Sequence, residues 1–143
     1  MIYISSDHAG FELKNKIVNH LEYQGIPCKD MGPYELHPED DYPDFVKPLV
    51  DKVLAKSDNK GVLLCRNGVG MCMFANKFKG IRAVLSWNAK HAASSRNDDN
   101  TNVLCLPTDY IFEEEAINTV DAWLKTSFGK EIRYTRRLKK GNL

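Results

Sequence analysis

The sequence has no excess of charge, no long apolar run and no cysteine framework. Its 143 residues carry 20 basic and 19 acidic side chains, a formal net charge of +1. Nothing in that balance favours nonspecific binding to nucleic acid or to a membrane surface over a small-molecule ligand. No stretch reaches the ~20 apolar residues of a transmembrane helix, and Met1-Ile2-Tyr3-Ile4 lacks the basic segment of a secretory signal. A cytosolic protein is expected. The four cysteines, Cys28, Cys65, Cys72 and Cys105, show no C-x-x-C spacing, so neither a disulfide scaffold nor a zinc site is indicated. Neither G-x-G-x-x-G nor G-x-x-x-x-G-K-[ST] occurs, which argues against dinucleotide- or ATP-type phosphate loops. Internal repeats, low-complexity segments and linkers are lacking too, and the length suits one domain.

What is there alternates. Short apolar strands are expected at Ile2–Ser6, Ile26–Met31, Gly61–Cys65, Ile81–Ser86 and Asn102–Leu106. Helical patterns fall between and after them: Phe11 to about Gly25, Pro43–Ala55, Val69–Phe78, Ala89–Arg96 and Phe112–Leu124. A polar loop, Gly32 to Asp41, follows the second strand. This order predicts a three-layer αβα, Rossmann-like α/β domain over residues 1–143, built on a five-stranded parallel sheet. In such sheets the ligand lies at the carboxyl ends of the strands, where strand order reverses. Asp7-His8, the Asp40-Asp41-Tyr42 loop and the turn Cys65-Arg66-Asn67-Gly68-Val69-Gly70 would then share one rim.

Cys65 is the most suspicious atom in that set. Cysteine at a strand end is often a small buried hydrophobe, but here it opens a glycine-punctuated turn into a helix, an arrangement that aims N–H groups at negative charge and lowers a thiol's pKa. Cys28 and Cys105 read as strand fillers and Cys72 as a core helix residue. Asp7 reads equally well as a helix cap or as a ligand contact. His20, His37 and His91 read as solvated. Asp98-Asp99 can simply end a helix, and the basic residues from Lys125 to Lys140 can be a solvated face, although paired arginines also clamp phosphate.

Taken together, Ser6-Asp7-His8-Ala9-Gly10-Phe11-Glu12-Leu13-Lys14, Asp41-Tyr42-Pro43, Cys65 to Gly70 with Ala75-Asn76-Lys77, Gly80-Ile81-Arg82-Ala83, Ser95-Arg96 and Asn102-Val103-Leu104 resemble the ribose-5-phosphate isomerase B and galactose-6-phosphate isomerase family. The resemblance covers nearly the whole chain. It implies a cofactor-free, metal-free aldose–ketose isomerase of the non-oxidative pentose phosphate pathway, working as a homodimer or dimer of dimers whose sites take residues from both subunits. Its substrate would be ribose 5-phosphate, with a six-carbon phosphosugar or a noncatalytic phosphosugar-binding subunit as the alternatives.

By the same resemblance Cys65 is the base, because the glutamate used by another branch is here Met71. Asn67, Gly68, Val69 and Gly70 hold the enediolate, and Arg66 contacts substrate. Asp7 orients a hydroxyl, His8 meets phosphate and Tyr42 closes the site. Arg133 and Arg137, in a segment from 125 to 143 that reaches the partner subunit, bind phosphate. The chain departs from the family pattern where a ring-opening histidine and its asparagine are Asp98-Asp99, where a second histidine is Tyr134, and where a phosphate-binding arginine is Asp109. Asp98 is the residue left to open the ring, with Asp99 against the substrate.

Overall fold

The computed structural model describes residues 1–129 and 131–143; Lys130, one of the basic residues of the C-terminal segment, lies outside the described residues. Five parallel strands, β1 (Ile2–Ser6), β2 (Cys28–Asp30), β3 (Lys60–Cys65), β4 (Ala83–Leu85) and β5 (Val103–Pro107), form one sheet in the order β2-β1-β3-β5-β4. The helices are α1 (Phe11–Tyr23), α2 (Pro43–Leu54), α3 (Val69–Ala75), α4 (Ala89–Asp99), α5 (Glu113–Lys125) and α6 (Ile132–Gly141). None is long and apolar enough to cross a membrane among the described residues.

The three central strands are nearly continuous apolar runs because both of their faces are covered. Ile2, Ile4, Val62, Leu64, Leu104 and Leu106 face α1 and α5, which contribute Ile17, Leu21, Val120 and Trp123 to one core. Leu63, Cys65, Val103 and Cys105 face α2 and α3, which contribute Val46, Leu49, Val50, Met71 and Ala75 to the other. The expected three-layer fold is therefore present. The edge strands β2 and β4 are three residues each, shorter than their apolar runs suggested, and their residues are partly exposed. Edge pairing ends where a second neighbour is missing.

Helix α1 shows how the sequence dictates packing. Ile17, Val18 and Leu21 recur at helical spacing on its buried side, and so does Lys14, whose side chain is fully buried. Lys14 Nζ reaches Asp30 Oδ2 at the end of β2 (2.5 Å) and Asn15 Oδ1 (2.9 Å), tying the helix to the sheet edge. At its entry, a Cβ on Gly10 would meet Leu64 O at 2.6 Å, Leu64 Cβ at 2.7 Å and Ser6 Cβ at 2.8 Å. The backbone of the β1–α1 turn thus lies directly on β3. Gly10→Ala must push the two apart, and a loss of about 2–3 kcal/mol, or roughly 5–10 °C in unfolding temperature, is expected in a thermal melt.

Helix α6, which the sequence reading leaves as a basic tail, packs against α4. Tyr134 is its buried residue; Arg133, Arg136, Arg137, Lys139 and Lys140 are exposed. Cys105 is fully buried in β5 as a strand filler, whereas Cys72 is only half-buried at the margin of the core, its Sγ 3.6 Å from Ala83 O.

Candidate active site

Strand order reverses between β1 and β3: from β1 the chain moves outward to β2, then crosses back through α2 to β3. The crevice outside the carboxyl ends of those two strands is where a doubly wound sheet binds its ligand. Asp7-His8 leaves β1 there, and Cys65 ends β3 beside it.

Asp7 is held at this rim by its backbone, whose N–H donates to Leu64 O (3.2 Å). Its carboxylate caps the 3₁₀ turn His8–Gly10, accepting from the N–H groups of Ala9 (3.0 Å) and Gly10 (3.1 Å). Burial raises its pKa, against the lowering effect of the Gly10 N–H and of neighbouring His8. The capping reading of Asp7 is thus correct, and the cap places the carboxyl 6% exposed in the crevice.

The loop after β2 closes over the same point. Gly32 O accepts from Ser6 N–H (3.1 Å) and Ser5 Oγ (3.0 Å), which returns the loop to β1. Asp40 then meets His8 twice through one oxygen: Oδ1 accepts from the His8 backbone N–H (3.0 Å) and lies 2.7 Å from Nδ1. This bond raises the His8 pKa more than partial burial lowers it. The sequence places Asp40 in the rim loop but gives it no role, since no local pattern connects residues 8 and 40. Tyr42, at the start of α2, lies against Gly70; a Cβ there would sit 2.8 Å from the ring. A side chain at position 70 would have to displace that ring.

Cys65 is 4% exposed beneath the turn. Gly68 takes the left-handed conformation (φ 73°), and a Cβ on it would strike Leu85 Cδ1 at 2.4 Å, so the turn requires glycine on both grounds. Asn67 Oδ1 accepts from Val69 N–H (3.0 Å), leaving its amide nitrogen to donate elsewhere. The backbone N–H groups of Met71, Gly68 and Asn67 favour the thiolate. Burial outweighs them: the pKa of Cys65 is raised, with Asp7 adding to the effect. The expectation of a lowered pKa is therefore corrected, because this helix start also excludes water from the thiol.

The third wall comes from β5. Thr108 Oγ1 lies 3.2 Å from Cys65 O and 3.3 Å from Ala9 O, bridging the two turns. Asp109 faces Arg66 across the rim in an exposed ion pair (2.9 Å). Arg66 and the carboxylate that departs from the family pattern at 109 are thus partners.

The remaining candidates are not on this rim. Helix α4 runs back from the carboxyl end of β4, so Asp98 and Asp99 in its last turn sit at the amino-terminal edge of the sheet. Asp98 Oδ1 accepts from Asn97 Nδ2 (2.6 Å), and Asp99 lines a cavity of about 350 Å³ with Arg82, His91 and Thr101. Arg133 lies over the Tyr134 ring (4.9 Å) and pairs with Glu131 (3.1 Å). No hydrogen bond or ion pair among the described residues joins Asp98, Asp99, Arg133 or Arg137 to the Cys65 rim. Of the histidines read as solvated, His20 is instead partly buried against Asp121 (3.0 Å), whereas His91 is exposed and stacks on Trp87.

A thiol, a carboxyl and a histidine–aspartate pair grouped at the switch point of a doubly wound sheet, under a turn of inward N–H groups, mark an α/β enzyme equipped for proton transfer on a small anionic ligand. The model of the ribose/galactose isomerase family matches residues 2–140. The chain belongs to that family and is a sugar-phosphate isomerase. It is 45% identical to a probable ribose-5-phosphate isomerase B of Mycoplasma pneumoniae, over 94% of this chain and 95% of the relative, and 35% identical to the ribose-5-phosphate isomerase B of Mycolicibacterium paratuberculosis, over 96% and 86%. Among solved structures, ribose-5-phosphate isomerase B of Mycoplasma genitalium with bound ribulose 5-phosphate superposes with a TM-score of 0.94 at 44% identity, covering 99% of this chain and 93% of that one. The enzyme of Thermotoga maritima gives 0.92 at 42%, covering 97% and 94%.

Proposed function

We propose that the protein interconverts ribose 5-phosphate and ribulose 5-phosphate through a cis-enediolate, with Cys65 as the base. The carrying observation is the placement of the Cys65 thiol at the β1/β3 switch point, beside Asp7 and beneath the turn whose Gly68 takes the left-handed conformation. The thiolate takes the C2 proton of the open-chain aldose while the C1 carbonyl oxygen becomes an oxyanion. The turn Asn67 to Gly70, in which Val69 N–H is already given to Asn67 Oδ1, holds that charge through its other N–H groups and the Asn67 amide nitrogen. The proton then returns from the thiol to C1, the hydroxyl proton passes from O2 to O1, and C2 becomes the carbonyl. Asp7 orients a hydroxyl, His8 meets the phosphate, Tyr42 and Arg66 border the substrate, and Met71 offers no competing base.

The positions of Asp98, Asp99, Arg133 and Arg137 away from the rim support a site completed by a second copy of the chain, in a dimer or a dimer of dimers. From that copy Asp98 would open the sugar ring, Asp99 would contact substrate, and Arg133 and Arg137 would bind phosphate. The enzyme would act in the cytosol, in the non-oxidative pentose phosphate steps. A proton NMR time course with ribose 5-phosphate should show ribulose 5-phosphate appearing at a rate proportional to enzyme. Turnover only of a six-carbon phosphosugar would move the substrate assignment, and binding of both sugars without turnover would leave a noncatalytic binding subunit.

A further inference from the structure

The loop aspartate beside His8 has a geometry that capping and packing do not explain. Asp40 Oδ1 receives both His8 contacts, the backbone N–H at 3.0 Å and Nδ1 at 2.7 Å. Its Oδ2 is buried without a hydrogen-bond partner among the described residues, and the side chain is only 10% exposed. A carboxylate so placed is costly unless a cation lies against it. The imidazolium of His8 is the ion-pair partner it has. With Nδ1–H committed to Asp40, the far ring nitrogen Nε2 is turned away from the loop. When His8 is charged, Nε2 carries a proton and donates; when it is neutral, Nε2 presents a lone pair, which a phosphate oxygen repels.

We propose that Asp40 is a positioning residue: by holding Nδ1–H of His8 it fixes Nε2–H as a donor to the substrate's phosphate and keeps phosphate affinity high through neutral pH. This rests on the assignment of His8 to the phosphate. The charged groups facing His8 are Asp7 from the end of β1, Asp40 from the loop and Arg66 from the turn after β3, the last opposing the imidazolium but itself paired with Asp109. The sign follows from these neighbours. Asp40 raises the His8 pKa, so the wild-type enzyme keeps its phosphate donor as pH rises past the ordinary imidazole value and loses it only on passing the raised one.

The test is Asp40→Asn, which preserves the shape of the side chain and removes its charge. At about pH 7.5 its KM for ribose 5-phosphate should rise about tenfold, the worth of a charge-assisted hydrogen bond, with kcat within roughly twofold. At about pH 6, where His8 is protonated in both proteins, the two KM values should converge. The His8 ring titration, followed by NMR in the free proteins, should move to lower pH in Asp40→Asn, and Asp40→Glu should recover part of both effects. A KM profile of Asp40→Asn that superimposes on the wild type, or a loss confined to kcat, overturns the proposal. If the wild type fails to turn over ribose 5-phosphate, the substrate assignment falls. The Asp40 claim is then decided by binding of inorganic phosphate, which Asp40→Asn must weaken at about pH 7.5 and not at about pH 6.

Discussion

Cys65→Ala should lose about 10²–10⁴-fold in turnover, the usual contribution of a positioned base, while remaining folded. The thiol occupies a small volume between β3 and α3, so its removal leaves a void smaller than a methionine or leucine side chain would, and the unfolding temperature should fall by only a few degrees. Cys65→Ser should be nearly as poor, because a hydroxyl in the same buried position is far harder to ionise. The pH dependence of the wild type gives a second signature. Burial holds the Cys65 pKa above its ordinary value, so the thiolate is a minor species at neutral pH. Turnover should climb about tenfold per pH unit on the acid side of that value and then level. With the phosphate assigned to His8 as proposed, binding should be lost as that group deprotonates, so kcat and KM should respond to different parts of the pH range.

The second large effect comes from mixing. Cys65→Ala and the double variant Arg133→Ala, Arg137→Ala should each be nearly inactive alone, the first through lost proton transfer and the second through weakened phosphate binding at a subsaturating substrate concentration. If each site takes Cys65 from one subunit and the arginines from the other, a mixed dimer collects both lesions in one site and leaves the other intact. Refolding the two together at equal amounts should then recover about one quarter of wild-type activity, since half of a random mixture is mixed dimers with one good site each. A site built within one chain gives no recovery.

Much of this was legible before the structure because local chemistry determined it. The continuous apolar runs of β1, β3 and β5 and the helical spacing of Ile17, Val18 and Leu21 in α1 need no distant partner to be recognised. Cys65 with Gly68 and Gly70 could be read for the same reason: the positive φ at Gly68 calls for glycine, and the ring of Tyr42 comes close over Gly70. Helix α6 was not legible, since its basic residues conceal a helix whose buried anchor is the single side chain Tyr134. The direction of the Cys65 pKa shift is not legible in the sequence, because burial and backbone N–H groups compete there and a sequence shows only the latter. The grip of Asp40 on His8 spans 32 positions, beyond any periodic signal.

Arg66 and Asp109 illustrate the same limit from the other side. Neither points to the other when read alone, and their 2.9 Å contact makes them one feature of the rim, where the chain joins the β3 and β5 turns by charge. Because both side chains are exposed, the pair contributes at most about 1 kcal/mol to stability. Its consequence is electrostatic: Asp109 tempers the positive charge of Arg66 beside His8.

The most direct test follows deuterium. With ribose 5-phosphate deuterated at C2, the wild type should form ribulose 5-phosphate that carries that deuterium at C1, read by NMR as loss of one C1 proton signal. Cys65→Ala should produce neither ketose nor label above the uncatalysed background. Label appearing with Cys65→Ala at the wild-type rate would show that another group moves the proton.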